Sequence, residues 1–162
     1  MDTYTITEVL KERFGEEVLQ MSDHSDLFTV TVSSGIVHEV IDVLKNRLGF
    51  NFLTDITGIH YPEEALQLGV IYHLHNLMQN MRIRIKTFVS VTDPNVATMT
   101  DIFSSANWME RETYDFYGIV FSGHPDLKRI LNVEYMDYFP LRKEYPLEDQ
   151  TREDKDDRYF GR

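Results

Sequence analysis

Residues 68–89 read L-G-V-I-Y-H-L-H-N-L-M-Q-N-M-R-I-R-I-K-T-F-V, and they set the fold class. Leu68 to Leu74 and Met81 to Val89 are two apolar runs around a polar turn, Asn76 to Asn80. In the second run Met81, Ile83, Ile85 and Val89 alternate with Arg82, Arg84 and Lys86. A period of two puts the apolar set on one face of a strand and leaves the other face basic. The stretch is expected to be a β-hairpin.

On the N-terminal side, Phe52 to Ile59 reads as a strand ending near Tyr61-Pro62. Before it, Ile36, Val37, Val40, Ile41, Leu44 and Leu48 recur at helical spacing. Ser34 is a suitable N-cap for that helix, and Gly49 suits the position just past its end. Glu17 to Met21 and Leu27 to Val32 read as two more strands around the turn Ser22 to Asp26. Thr5-Ile6-Thr7-Glu8 reads as a capping box opening a short helix, with Ile6, Val9, Leu10 and Phe14 on one face and Gly15 at its end.

On the C-terminal side, Asp93-Pro94 reads as an N-cap followed by proline at the first helical position. It predicts a helix carrying Val96, Met99, Ile102 and Phe103 inward, then a second helix or a continuation from about Asn107 to Tyr117. Strands come in runs and do not alternate singly with helices. That order predicts an α+β fold: an antiparallel or mixed sheet with helices on one face, followed by an irregular extended C-terminal arm. The expected division is an α+β domain over 1–106, a segment over 107–146 packing on that domain and on a partner, and a polar tail over 147–162. Glu148 to Arg158 contains no apolar residue and is expected to be solvated.

An apolar share of 42% supports a core. The formal net charge of −11 repels phosphate backbones and argues against nucleic acid as a partner. With no cysteine, the chain has no disulfide, no thiol nucleophile and no thiolate-ligated zinc or iron–sulfur cluster of its own. No run approaches 18 apolar residues, and Met1-Asp2-Thr3-Tyr4 lacks a basic region before an apolar one. Neither a membrane span nor a secretory signal is expected.

The second half carries the chemistry. From Glu110 it reads E-R-E-T-Y-D-F-Y-G-I-V-F-S-G-H-P-D-L-K-R-I-L, then N-V-E-Y-M-D-Y-F, then P-L-R-K-E-Y-P to Pro146. Nine of the chain's twenty aromatics lie between Trp108 and Pro146, too many for a linker. Glu110, Arg111, Glu112 and Asp115 share one stretch of helix that Gly118 stops. Arg111 and Asp115, four apart, can pair; Glu112 and Asp115, three apart, repel unless one cation serves both. These groups read either as a charged helix face or as buried or interfacial ion pairs, with Met109, Phe116 and Ile119 crowding in.

In Gly123-His124-Pro125-Asp126, glycine permits a tight approach and proline pushes His124 toward an extended conformation. Asp126 is a suitable cap for a short basic helix-like turn beginning at Leu127. His124 reads equally as a backbone-bonded side chain in a rigid turn and as a proton-active group. Lys128-Arg129 and Arg142-Lys143 are basic islands, either solvated or docking onto a partner's carboxylates. His73 and His75 share a strand face and, with His60 or His38, could in principle meet a metal, though no firm ligand spacing supports it. A free-standing hydrolase or metalloenzyme using His124 with Asp126 or Glu112 stays open, as does an acidic regulatory binder.

The pattern E-R-E-x-Y-D-x-x-G-I-x-F-x-G-H-P-D-L-x-R-I-L over Glu110 to Leu131, with P-L-R-K-x-Y-P over Pro140 to Pro146, resembles the signature of the 30-kilodalton subunit family of bacterial NADH–quinone oxidoreductase (respiratory complex I). One departure is Met136-Asp137-Tyr138-Phe139, where the family often has a glycine. The resemblance implies a non-catalytic peripheral-arm subunit on the cytoplasmic side of the bacterial inner membrane, associated through the complex. The complex would use FMN, iron–sulfur clusters, NADH and quinone, none of them bound by this chain. The implied partners are the large quinone-site subunit and the cluster-carrying subunits. Glu110, Arg111, Glu112, Asp115, Gly118, Gly123, His124, Pro125, Asp126, Arg129, Pro140, Arg142 and Lys143 would form the assembly surface. Arg142 in particular is expected to pair with a partner carboxylate, so that its loss weakens association and spares the isolated fold. The equivalent subunit of a related ferredoxin- or hydrogenase-type membrane complex is the alternative within the family.

Overall fold

The computed structural model describes residues 2–24 and 27–145. The polar tail, Pro146 and the middle of the first turn lie outside them. Helix α1 spans Thr3–Phe14, strand β1 Val18–His24, β2 Leu27–Val32, helix α2 Val37–Asn46, β3 Phe52–His60, β4 Leu68–Asn76, β5 Met81–Val89, β6 Asn95–Ala97, helix α3 Ala106–Tyr117 and β7 Val120–Ser122.

The main sheet has the order β1-β2-β5-β4-β3. Three of its pairs are antiparallel, and β2 with β5 is parallel, so the sheet is mixed. The chain leaves β2, forms α2, and returns as the meander β3-β4-β5, which brings β5 back beside β2. The hairpin read from Leu68 to Val89 is present, with Leu68 opposite Val89 and Asn76 opposite Met81. Ile83, Ile85, Thr87 and Val89 are buried, while Arg82 is exposed and Arg84 and Lys86 are half-buried. The core therefore takes the apolar face of β5, and the basic face lies on the uncovered side of the sheet.

Helix α2 buries Val37, Val40, Ile41, Val43 and Leu44 against that core. Gly49 follows it at φ 75°, a conformation glycine adopts without strain. The buried Asn76 ties this end to the hairpin: its Nδ2 donates to the Leu48 carbonyl at 3.0 Å, and its Oδ1 accepts from the Gln79 N–H.

Four expectations are corrected. Helix α1 begins earlier than the Thr5 box, because the Asp2 carboxylate accepts from the Thr5 N–H at 2.9 Å and caps it there. Strand β1 runs on through Ser22–His24, which pair with Leu27–Thr29. Ser34 does not cap α2; Ile36 holds that position without a side-chain bond. No helix follows Pro94. Asn95–Ala97 instead form β6, parallel to β7, and turns lead on to α3. Val96, Met99, Ile102 and Phe103 are nevertheless all buried. Their spacing recorded burial, and a partner strand 25 residues downstream in register (Asn95 opposite Val120) decided the backbone.

Candidate docking site on helix α3 and the C-terminal arm

Helix α3 lies against β3. Gly118 ends it at φ 74°, donating its N–H to the Tyr114 carbonyl at 2.8 Å. A side chain at 118 fails twice: it needs the left-handed conformation, and its Cβ would sit 2.5 Å from the Phe139 ring and 2.7 Å from Arg142. Gly58 on β3 is similarly constrained, because a Cβ there would lie 2.4 Å from the Tyr117 ring.

Two carboxylates on α3 are fully buried, and they do different things. Glu110 turns toward the loop after β6: one oxygen accepts from the Met99 N–H at 2.6 Å and the other from the Thr98 hydroxyl at 2.5 Å. Burial raises its pKa to about 7, against the opposing pull of those two bonds. The hydroxyl of Tyr72 is buried, and burial and the Glu110 charge raise its pKa well above the usual tyrosine value. Among the described residues, neither the Tyr72 hydroxyl nor the buried Thr87 hydroxyl has a hydrogen-bond partner.

Asp115 turns toward the arm. One oxygen accepts from three consecutive N–H groups, Ile130 at 3.1 Å, Leu131 at 2.8 Å and Asn132 at 2.8 Å. The other pairs with Arg129 Nη1 at 2.8 Å. Burial pushes this carboxyl up, but the Asn132 N–H, the Arg129 guanidinium and the other two N–H groups hold it well below the usual carboxylate range. Arg129 also donates to the Asp115, Met136 and Tyr138 carbonyls at 2.8, 2.8 and 2.9 Å. Four backbone and side-chain acceptors thus fix one guanidinium and gather residues 129–138 around it.

Two guanidinium groups lie over the Phe139 ring, Arg129 at 5.0 Å and Arg142 at 4.7 Å from its centroid. Arg142 Nε donates to the Tyr117 carbonyl at 2.7 Å, and the Leu141 N–H donates to the Phe116 carbonyl at 3.2 Å. The arm finally reaches β3, where the Lys143 N–H donates to Nδ1 of the buried His60 at 3.0 Å. Arg111 donates to the carbonyls of Lys128 and Arg129 at 3.2 and 3.1 Å and lies over the Trp108 ring at 5.2 Å.

The pairing that the spacing of Arg111 and Asp115 allows is therefore not made; Arg129 takes that carboxylate, and Arg111 holds carbonyls of the arm. Glu112 is exposed. Arg129 and Arg142 are not solvated islands, with side chains 8% and 12% exposed. His124 matches the backbone-bonded reading: Nε2 meets the Asn107 carbonyl at 3.1 Å and Nδ1 accepts from the Asp126 N–H at 3.0 Å, with Gly123 at φ 88°. No helical turn begins at Leu127, and Asp126 pairs with Lys128 at 2.8 Å where a cap was expected. Pro125 is exposed and Pro140 half-buried beside Phe139 in sequence.

The other histidines lie apart. His38 bonds Asp101, His73 accepts from Arg84, and His75 meets Asn80. Among the described residues no group of three or more His, Cys, Asp or Glu side chains is placed to hold a metal. Phe139 and the Tyr72 hydroxyl are site features that the sequence did not mark, and His60, read there as a possible metal ligand, accepts from the arm instead. Only long-range contacts define them, and no local spacing marks them.

On the outside of this unit stand Trp108, Leu131, Val133 and Tyr135, exposed by 61, 67, 45 and 89%. Leu131 and Tyr135 flank backbone that Asp115 and Arg129 hold. The arrangement presents apolar side chains on a fixed support.

Residues 30–151 match the family model described as the respiratory-chain NADH dehydrogenase 30 Kd subunit. The chain is 40% identical over 144 residues to the NADH-quinone oxidoreductase C-subunit of Citrifermentans bemidjiense, covering 89% of each chain. It is also 40% identical over 131 residues to a probable mitochondrial NADH-ubiquinone oxidoreductase 30.4 kDa subunit of Candida maltosa, covering 80% of this chain and 47% of that one. Among solved structures, a trypsin-resistant fragment of Nqo5 aligns with a TM-score of 0.67 at 33% identity, over 75% of this chain and 98% of the fragment. A chain of an archaeal membrane-bound sulfane sulfur reductase shares the fold, with a TM-score of 0.74 at 21% identity over 89% of this chain and 85% of its own.

Proposed function

The chain belongs to the 30-kilodalton subunit family of the respiratory-chain NADH dehydrogenase, and from that premise we propose that it is a peripheral-arm subunit of a proton-translocating NADH–quinone oxidoreductase that scaffolds its neighbours. In this reading the chain performs no chemistry. It holds the large quinone-site subunit and the cluster-carrying subunits in position while electrons pass from NADH to quinone. FMN, the iron–sulfur clusters, NADH and quinone are bound by those neighbours. The complex places the chain on the cytoplasmic side of the inner membrane.

The observation that supports this reading is the division of labour in the α3–arm unit. Its polar groups are spent on one another: Asp115 on four donors, Arg129 on four acceptors, Arg142 on Tyr117. Its exposed aromatic and aliphatic side chains are the kind that protein interfaces use as anchors.

The test is affinity purification of the tagged full chain from gently solubilised membranes, with partners identified by mass spectrometry. Recovery with a quinone-site subunit, iron–sulfur subunits and an NADH-binding flavoprotein is expected. Recovery with hydrogenase-like partners would replace the electron donor, and recovery alone would overturn the assembly reading.

A further inference from the structure

Strand β3 is an edge of the five-stranded sheet, bonded to β4 on one side only. A bulge between Leu53 and Asp55 breaks the register near its start, and from Asp55 to His60 the pairing is regular. An edge strand offers a row of unpaired N–H and C=O groups to another chain, and folds commonly cover or twist such edges away. Here α3 packs beside the edge, with the Tyr117 ring over Gly58, and among the described residues no backbone pairs with the outer side of the strand. Asp55 to Gly58 of β3, Glu112, Phe116 and Tyr117 of α3 and Leu141 of the arm line one groove. No backbone hydrogen bond from the described loops or arm reaches Leu53 to Ile59. The arm touches β3 only beyond the groove, at His60.

The groove has a charge. Asp55, with half its side chain exposed, and the exposed Glu112 both line it, and among the described residues no lysine or arginine does. The two carboxylates stand on opposite sides of the edge: Asp55 shares the uncovered sheet face with His73, and Glu112 comes from the helix layer.

We propose that β3 between Asp55 and Gly58 takes an extended, basic segment of a neighbouring subunit as a sixth strand. This rests on the assembly reading above and adds where and how one partner docks. The main chain of the segment would pair with the open edge. Its side chains would alternate, as in any strand, one set toward Glu112, Phe116 and Tyr117 and the other toward Asp55. A cation on each face answers the two carboxylates. The chain's own tail is a poor occupant, because residues 148–158 carry six carboxylates against three cations.

The experiment uses the full chain assembled in membranes, with a photo-cross-linking amino acid at Thr57. The expected product joins Thr57 to one partner subunit at a segment with Lys or Arg at alternate positions. Glu112→Lys is expected to lower that yield several-fold. Amide exchange at Asp55 to Gly58 of the unmodified chain is expected to slow on assembly. If the chain still co-purifies with its partner subunits but Thr57 joins an acidic segment, its own tail or nothing, the docking inference fails and the assembly reading stands. Unchanged exchange at Asp55 to Gly58 in the assembled complex overturns it equally, whatever the cross-linking variant does. If no partner subunits are recovered at all, both readings fall.

Discussion

The two halves of α3 bury one carboxylate each, five residues apart, and treat it in opposite ways. Glu110 lies against the loop after β6 with two donors and, among the described residues, no cation, and its proton affinity rises to about 7. Asp115 lies against the arm with three N–H groups and a guanidinium, and its proton affinity falls below the usual range. Burial penalises both charges; the number and charge of the donors decides the sign. The lesson is that the Asp115 half is built to keep an ion and the Glu110 half is not. The Asp115 half can therefore hold a segment without regular secondary structure, where hydrogen-bonded ladders are missing.

The largest test removes the ion. Asp115→Ala leaves Arg129 buried without its partner and three N–H groups without an acceptor. A loss of roughly 3–5 kcal/mol is expected for breaking one side of a buried pair. Denaturant unfolding would read it, and trypsin would cut the variant at Lys128 or Arg129 faster than the parent chain. A change under about 1 kcal/mol would mean that the arm contributes little to the fold.

The next test uses the contrast in pH. Glu110 binds a proton more tightly in the folded chain than in the unfolded one, so stability falls as pH rises from 4.5 to about 7, by about 3 kcal/mol. Asp115 works the other way: its contribution is present above its unfolded value of 3.8 and is lost as pH falls through the lower folded value. In Glu110→Gln the slope between pH 4.5 and 7 should disappear while the acid limb remains. A slope that survives the substitution would assign it to another group.

These contrasts explain what the sequence disclosed. Alternation at Met81–Val89 and helical spacing at Ile36–Leu48 are local, and both elements formed where they were read. Val96, Met99, Ile102 and Phe103 also had helical spacing, yet pairing with Val120–Ser122 drew Asn95–Ala97 into a strand. Asp115 carried a plausible local partner in Arg111, and its actual partner lies 14 residues on. Local periodicity records which side chains are buried. It does not record which distant donor satisfies a buried carboxylate, and this site is made of such distant bonds.

A smaller effect separates the arm's two arginines. Among the described residues Arg142 makes one side-chain hydrogen bond, to the Tyr117 carbonyl, lies over Phe139 and stands 4.0 Å from the half-exposed Glu144 carboxylate, whereas Arg129 has a buried anion. Arg142→Ala is expected to cost the isolated fold roughly 1–2 kcal/mol, the sum of a modest bond and a cation–π contact. This revises the expectation that Arg142 matters only in association. A thermal melt of the isolated variant that overlays the parent would restore it.

The smallest effect on the fold tests the outer surface. Trp108 is 61% exposed and touches the unit through the Arg111 guanidinium at 5.2 Å. Arg111 keeps its two bonds to the arm carbonyls without the ring. Trp108→Ala should therefore change stability by less than about 0.5 kcal/mol, as at ordinary surface positions. An exposed tryptophan beside an arginine is a residue pair that interfaces favour, so the same variant should lose its partner subunits on purification, by about 2 kcal/mol of affinity or more. Loss of stability with retained partners would place Trp108 with the bonds that hold the arm. Loss of partners with retained stability would separate the surface that recognises from the carboxylates that support it.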